Sequence, residues 1–83
     1  MKLETGMLAK SKAGRDKDRI YVIIRVEDEY VYVADGEFRP LRHMKRKNRK
    51  HIQPITKMCM CGTPEDVEIR EIIKKYTQQG EMV

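Results

Sequence analysis

The chain has 83 residues, 37% of them charged, with a net charge of +5; so short a chain folds as one domain around one thin core, which argues against an enclosed active site and favours a binding surface. The charge is uneven: residues 1–57 hold 15 basic and 8 acidic side chains, and residues 58–83 hold 3 and 5, so a polyanionic partner is expected for the first part alone. No apolar run approaches the ~20 residues of a membrane span, and "MKLETGMLAK" lacks the apolar stretch of a secretory signal, so a cytoplasmic protein with no membrane partner is expected.

The first half reads as short strands. "GMLAKS" (residues 6–11) is a weak first strand that runs into a polar loop at residues 12–18. "RIYVIIRV" (residues 19–26) carries the strongest β signal, with Ile20, Val22, Ile24 and Val26 expected on one face and Tyr21, Ile23 and Arg25 on the other. Glu27, Asp28 and Glu29 make an acidic turn, after which "YVYVA" (residues 30–34) alternates cleanly. Asp35-Gly36 predicts a hairpin turn into a fourth strand at Glu37, Phe38 and Arg39. Pro40 has no N–H to donate, so that strand is short or lies at an edge. "KHIQPI" (residues 50–55) predicts a fifth strand. This spacing of strands and turns predicts a mainly β fold, a small, strongly bent barrel over residues 1–57.

Beyond a linker at residues 58–63 the pattern changes. Thr63 suits an N-cap, Pro64 the first helical position, and Asp66 the capping-box position three residues on. Ile69, Ile72, Ile73 and Tyr76 then recur at helical spacing. Glu65, Asp66 and Glu68 complement the positive end of the dipole, and Lys74 and Lys75 the negative end. A helix over residues 64–79 is predicted, with Gly80 as its stop and a short tail to residue 83. Its apolar stripe is expected to dock on the barrel, or alternatively on a protein partner.

Two segments could carry chemistry. In "SKAGRDKDR", Lys12, Arg15, Lys17 and Arg19 surround Gly14, with Asp16 and Asp18 as the acids. A tight turn there would present long cations and free backbone amides, which suits phosphate oxygens. "RPLRHMKRKNRKH" (residues 39–51) holds seven Lys or Arg and no acid. Its Arg39, Arg42, Lys45, Arg46, Lys47, Arg49 and Lys50 would contact phosphates by displacing counterions. Asn48, His43 and His51 could hydrogen-bond bases or sugars. Tyr21, Tyr30, Tyr32 and Phe38 could stack on bases but are expected as core or cross-strand partners. Because strands flank the run, it reads as an anchored surface segment rather than a free tail or a nuclear-targeting signal.

Cys59 and Cys61 are too few and too close for a disulfide framework. They supply half a zinc site at best, which His43 and His51 or a pair from a second chain could complete, but their single-residue spacing is shorter than the usual two to four. Reduced thiols and no cofactor are expected. No nucleophile and base pair, and no glycine-rich phosphate cradle, accompanies these segments, so an enzyme is not expected.

The segment from Gly6 to about Glu27 resembles a KOW motif, with apolar and polar residues alternating around Gly14. The stretch after it is similar to KOW-domain RNA-binding proteins related to the fourteen-e type of large-subunit ribosomal protein. The matching features are Ala34-Asp35-Gly36, then Arg39-Pro40, then Lys45-Arg46-Lys47-Asn48 with Lys50-His51, in that order. The resemblance covers roughly residues 6–55. It implies a Src-homology-3-like barrel of five strands, RNA binding, and association with ribosomes or translation. It also implies RNA-facing roles for the loop at Gly14 and Arg15 and for residues 45–50. Asp18 departs from the pattern, where glycine or another small residue stands, and the Cys-x-Cys linker has no counterpart in it. KOW barrels also occur in transcription elongation factors that engage proteins. The alternative is therefore a protein-interaction module docking through its C-terminal helix. A monomer is expected in either case.

Overall fold

In the computed structural model residues 3–59 and 64–81 are described. Five antiparallel strands, β1 (Met7–Ser11), β2 (Ile20–Val26), β3 (Tyr30–Ala34), β4 (Lys45–Asn48) and β5 (Ile52–Cys59), form one sheet in the order β4-β3-β2-β1-β5. A helix, α1 (Asp66–Glu81), comes after them. The protein is mainly β, as the alternation predicts. No helix among the described residues is long and apolar enough to cross a membrane.

Each face of the sheet has its own core. On one, Ala9, Tyr21, Ile23, Val31, Val33 and Ile52 are buried together with Leu3. No helix covers these residues, so the sheet buries them by curling over them into a half-barrel. On the other face, Leu8, Val22 and Ala34 are buried under Ile69 of α1, with Ile72, Ile73 and Tyr76 packed around them. The predicted apolar stripe thus docks on the barrel. A two-faced sheet explains why β2 is apolar at almost every position rather than alternating.

Simple alternation in β2 fails at one place. The register shifts between Ile23, opposite Val33, and Arg25, opposite Tyr32, so Ile24 is an extra residue. Without that bulge Arg25 would oppose Val31 and point into the concave core. With it, Arg25 turns to the outer face and Val26 packs inward, against the opposite core from the one that alternation assigns it.

The fourth strand is also not where the turn signal puts it. Asp35 Oδ1 accepts from the backbone N–H of Glu37 (2.9 Å) and Arg39 (2.7 Å). Those donors would have built a ladder, and Pro40 has none to offer. Residues 35–44 instead form a wide loop with a short 3-10 turn at Leu41–His43. The strand opposite β3 is "KRKN", pairing Tyr30 with Asn48 and Val33 with Lys45.

α1 begins two residues later than predicted and runs through Gly80 to Glu81. Thr63, its predicted cap, lies outside the described residues. Asp66 reaches away from its own helix, Oδ1 accepting from the Leu41 N–H at 2.8 Å. Gly36 makes that approach possible. It sits at φ +78, and a Cβ there would run into the Asp66 carbonyl and lie 2.8 Å from Arg70 Cγ. Gly14, at φ +88, is different, because a Cβ would meet Asp16 Oδ1 at an ordinary 3.5 Å. We therefore expect Gly36→Ala to lower the thermal midpoint by ~10 °C or more and reduce the helical dichroism. Gly14→Ala, which bears only the backbone cost, should lose about half as much.

Candidate nucleic-acid interface

Once the basic run is a strand, parity divides it. Lys45 and Lys47 share the concave face with Val31 and Val33, while Arg46 and Asn48 lie opposite Tyr32 and Tyr30 on the outer face. Lys47 is 8% exposed, and its Nζ donates to Ser11 Oγ (2.8 Å), the Ala13 carbonyl (3.0 Å) and Asp16 Oδ1 (2.8 Å). All three ammonium protons are therefore used inside the protein. Lys47 is thereby removed from the surface set in which the sequence places it.

Asp16 is the other half of this arrangement. It is 7% exposed, with Oδ1 accepting from Lys47 and Ser11 and Oδ2 accepting from the Tyr21 hydroxyl at 2.7 Å. Lys45 adds an ion pair to Oδ2 at 3.2 Å. Burial pushes the Asp16 carboxyl up, but Lys47, Tyr21, Lys45 and Ser11 together hold it well below the usual carboxylate range. Burial, reinforced by its bond to Asp16, pushes the Tyr21 phenol well above its ordinary value. In the sequence Asp16 reads only as an acid diluting a basic loop. The available signal is its isolation: an acid amid cations is well placed to be paired.

Above this cluster lies a groove of about 240 Å3 lined by Arg15, Arg19, Phe38, Arg39 and Lys45, with Asp16 and Tyr21 as its floor. One wall comes from the β1–β2 loop and the other from the 35–44 loop. Asp35 joins them, because its Oδ1 shapes the turn that carries Phe38 and Arg39 while its Oδ2 lies 3.9 Å from Arg19. Arg15 and Arg39 are exposed and have no acidic partner among the described residues. Asp16, the one carboxylate in the lining, is already neutralised by Lys47. Phe38, expected as a core or cross-strand partner, is 70% exposed at the rim with the Arg19 guanidinium 5.0 Å from its ring centre.

Other predicted contacts are spread around this groove. Lys12 and Lys17 are exposed on the β1–β2 loop, and the Lys12 N–H donates to the His51 carbonyl at 2.8 Å. That bond sets exposed Lys50 and His51, in a 3-10 turn at Arg49–His51, beside the loop. Arg42 is exposed in the 3-10 turn of the 35–44 loop. Arg46 lies elsewhere, on the outer face, 4.6 Å from the Tyr30 ring centre. Arg49 donates to the Glu27 and Asp28 carbonyls and closes the β2–β3 turn. Asn48 Oδ1 accepts from the Lys50 N–H and caps the 3-10 turn.

The β1–β2 loop also offers fewer amides than expected. Those of Lys12, Lys17, Asp18 and Arg19 donate internally, which leaves the amides of residues 13–16, at the tip of the loop, without an internal acceptor among the described residues. Asp18 adopts φ +74, the left-handed backbone that a glycine would take more easily. Cys61 lies outside the described residues, and no three His, Cys, Asp or Glu side chains gather as metal ligands among the described ones. His43 stands in the 3-10 turn at Leu41–His43.

The chain matches no protein-family model and no curated protein.

The buried cluster sets the stability profile. The folded Asp16 carboxyl binds its proton less tightly than the unfolded one, so its contribution is complete above the ordinary value of 3.8 and falls away as pH drops below it. For Tyr21 the unfolded chain loses the proton first, so stability falls as pH rises past the ordinary 10.0. Urea denaturation across this range should show a plateau between those two limbs. Asp16→Asn should remove much of the acid limb and cost ~3 kcal/mol or more at neutral pH, because it leaves the Lys47 ammonium buried without its partner. Asp16→Asn with Lys47→Met should cost clearly less than the two single changes summed.

Proposed function

We propose that the protein is a non-catalytic RNA-binding module, ribosome-associated or acting in translation, that holds RNA phosphates in the groove between the β1–β2 and 35–44 loops. The observation that carries this reading is the groove's electrostatics. Arg15, Arg19, Arg39 and Lys45 converge on one depression; the Asp16 beneath it is buried and compensated, Asp35 stands 3.9 Å from Arg19, and Arg15 and Arg39 have no acidic partner among the described residues. Guanidinium groups suit phosphate because their planar forks donate bidentately. Lys12, Lys17 and Lys50 extend the cationic surface along the same end of the barrel, with His51 beside them, so a backbone of several phosphates could be followed. The KOW-like order of motifs is what favours RNA, and ribosomal RNA in particular, as the polyanion.

The protein-interaction alternative is weakened by what α1 does. Its apolar stripe is spent on the sheet, and Val67, 54% exposed, is the large apolar side chain that remains in the open on the described helix. One exposed valine is ordinary on a small domain.

Binding of a ribosomal RNA fragment, monitored by fluorescence anisotropy at several salt concentrations, tests the proposal. Affinity should fall steeply with salt, and Arg15→Glu with Arg39→Glu should weaken binding on the order of 100-fold and make the log–log salt slope shallower by ~1.4 or more. Lys74→Glu, on the exposed side of α1, should leave affinity unchanged. Salt-independent binding, or binding indifferent to both arginines, sinks the reading.

A further inference from the structure

Phe38 is at odds with its surroundings. It is the sole phenylalanine of the chain, stands 70% exposed, and is held at the lip of a cationic groove by a turn that Asp35 fixes. A single exposed apolar side chain is ordinary. A ring bordered by Arg15, Arg39 and Lys45, with Arg19 over it, is a different object. Arg19 covers part of the ring and is itself steered by Asp35 at 3.9 Å, while most of the ring stands in water.

The other tyrosine–arginine contacts do not offer this. Tyr30 and Tyr32 lie in the sheet, only partly exposed, under Arg46 and Arg25 at 4.6 and 5.8 Å. Tyr21 is buried and hydrogen-bonded to Asp16. Phe38 is thus the aromatic ring of the described residues that combines wide exposure with a ring of cations.

Resting on the RNA reading above, we infer that the groove takes an unpaired nucleotide, whose base stacks on Phe38 while its flanking phosphates lie against Arg15, Arg39 and Lys45. The size agrees, since about 240 Å3 is smaller than the roughly 300 Å3 at which drug-sized pockets begin. It has room for one planar group but not for the breadth of a duplex. A base inside a helix is already stacked on its neighbours, so only single strands, loops or bulges present a free face. The groove would therefore prefer unpaired RNA, and would do so with little regard to sequence, because every base has a face to stack.

The test compares a mixed-sequence single-stranded oligoribonucleotide, the same strand with abasic sites, and the duplex formed with its complement. The full chain should bind the intact single strand best. Phe38→Ala should weaken that binding about 5-fold or more and narrow its gap from the abasic strand, while keeping the salt slope. Arg15→Glu should make the slope shallower. Since the chain has no tryptophan, Phe38→Trp introduces a lone indole, whose emission should be quenched by the intact strand and not by the abasic one. Unchanged affinity in Phe38→Ala with no quenching, or preference for the duplex, overturns the stacking inference and leaves the phosphate groove standing. Failure of the full chain to bind any of these strands overturns both.

Discussion

The fold depends on one buried ion pair. β4 lies at the far end of the sheet order from β5, and β3 and β2 separate it from β1. Lys47 nonetheless reaches from β4 across the concave face to Ser11, Ala13 and Asp16, at the end of β1 and in the loop after it. This side chain holds the curl of the sheet as a ladder would in a closed barrel. Taking both charges out of water is costly, and such pairs are seldom more stable than a well-packed apolar substitute. What this one supplies is arrangement. Each ammonium proton and each carboxylate oxygen is satisfied, so a one-residue slip of β4, which would turn Lys47 to the outer face, would leave Asp16 buried without it.

The same pair sorts the chain's cations by role. The basic run looks uniform as a string, but strand parity sends Lys47 to structure, Lys45 to the groove floor, and Arg46 to a tyrosine on the opposite face. Arg49 and Asn48 are consumed by turns. Arg15 and Arg39 remain around the groove without an acidic partner among the described residues, because the acid beneath them is already matched and Asp35 faces Arg19. Charge clustering in the sequence locates the surface, and the fold selects its members.

The strands β1, β2 and β3 and the stripe of α1 are legible in the sequence because each rests on local periodicity and side-chain type. What is not legible depends on distant partners. Nothing within "KRKN" favours a strand; it becomes one because the valines and tyrosines of β3 provide both faces of a ladder. The bulge at Ile24 answers to Val31, which cannot accept an arginine beside it, and Gly36 answers to a helix thirty residues later. Asp35-Gly36 does mark a reversal of the chain, but the Asp35 carboxylate captures the donors a hairpin needs. Residue type alone assigns Phe38 to the core or to a cross-strand pair, although its place between that turn and Arg39-Pro40 falls outside any alternating stretch.

A sheet this small has to protect its edges as well as build a site, and here the two demands meet in the same residues. β4 presents a free edge that could pair with another chain. Its lysines, both on the concave face, and its arginine make such pairing costly, and Pro54 interrupts the donor row of β5 at the other end. A basic strand at this edge therefore needs no nucleic acid to account for its composition. The loops are another matter. Arg15, Arg39 and Phe38 stabilise no strand and cover no core, yet the fold fixes them around one depression. For that reason the functional reading rests on these three side chains more than on the longer basic run.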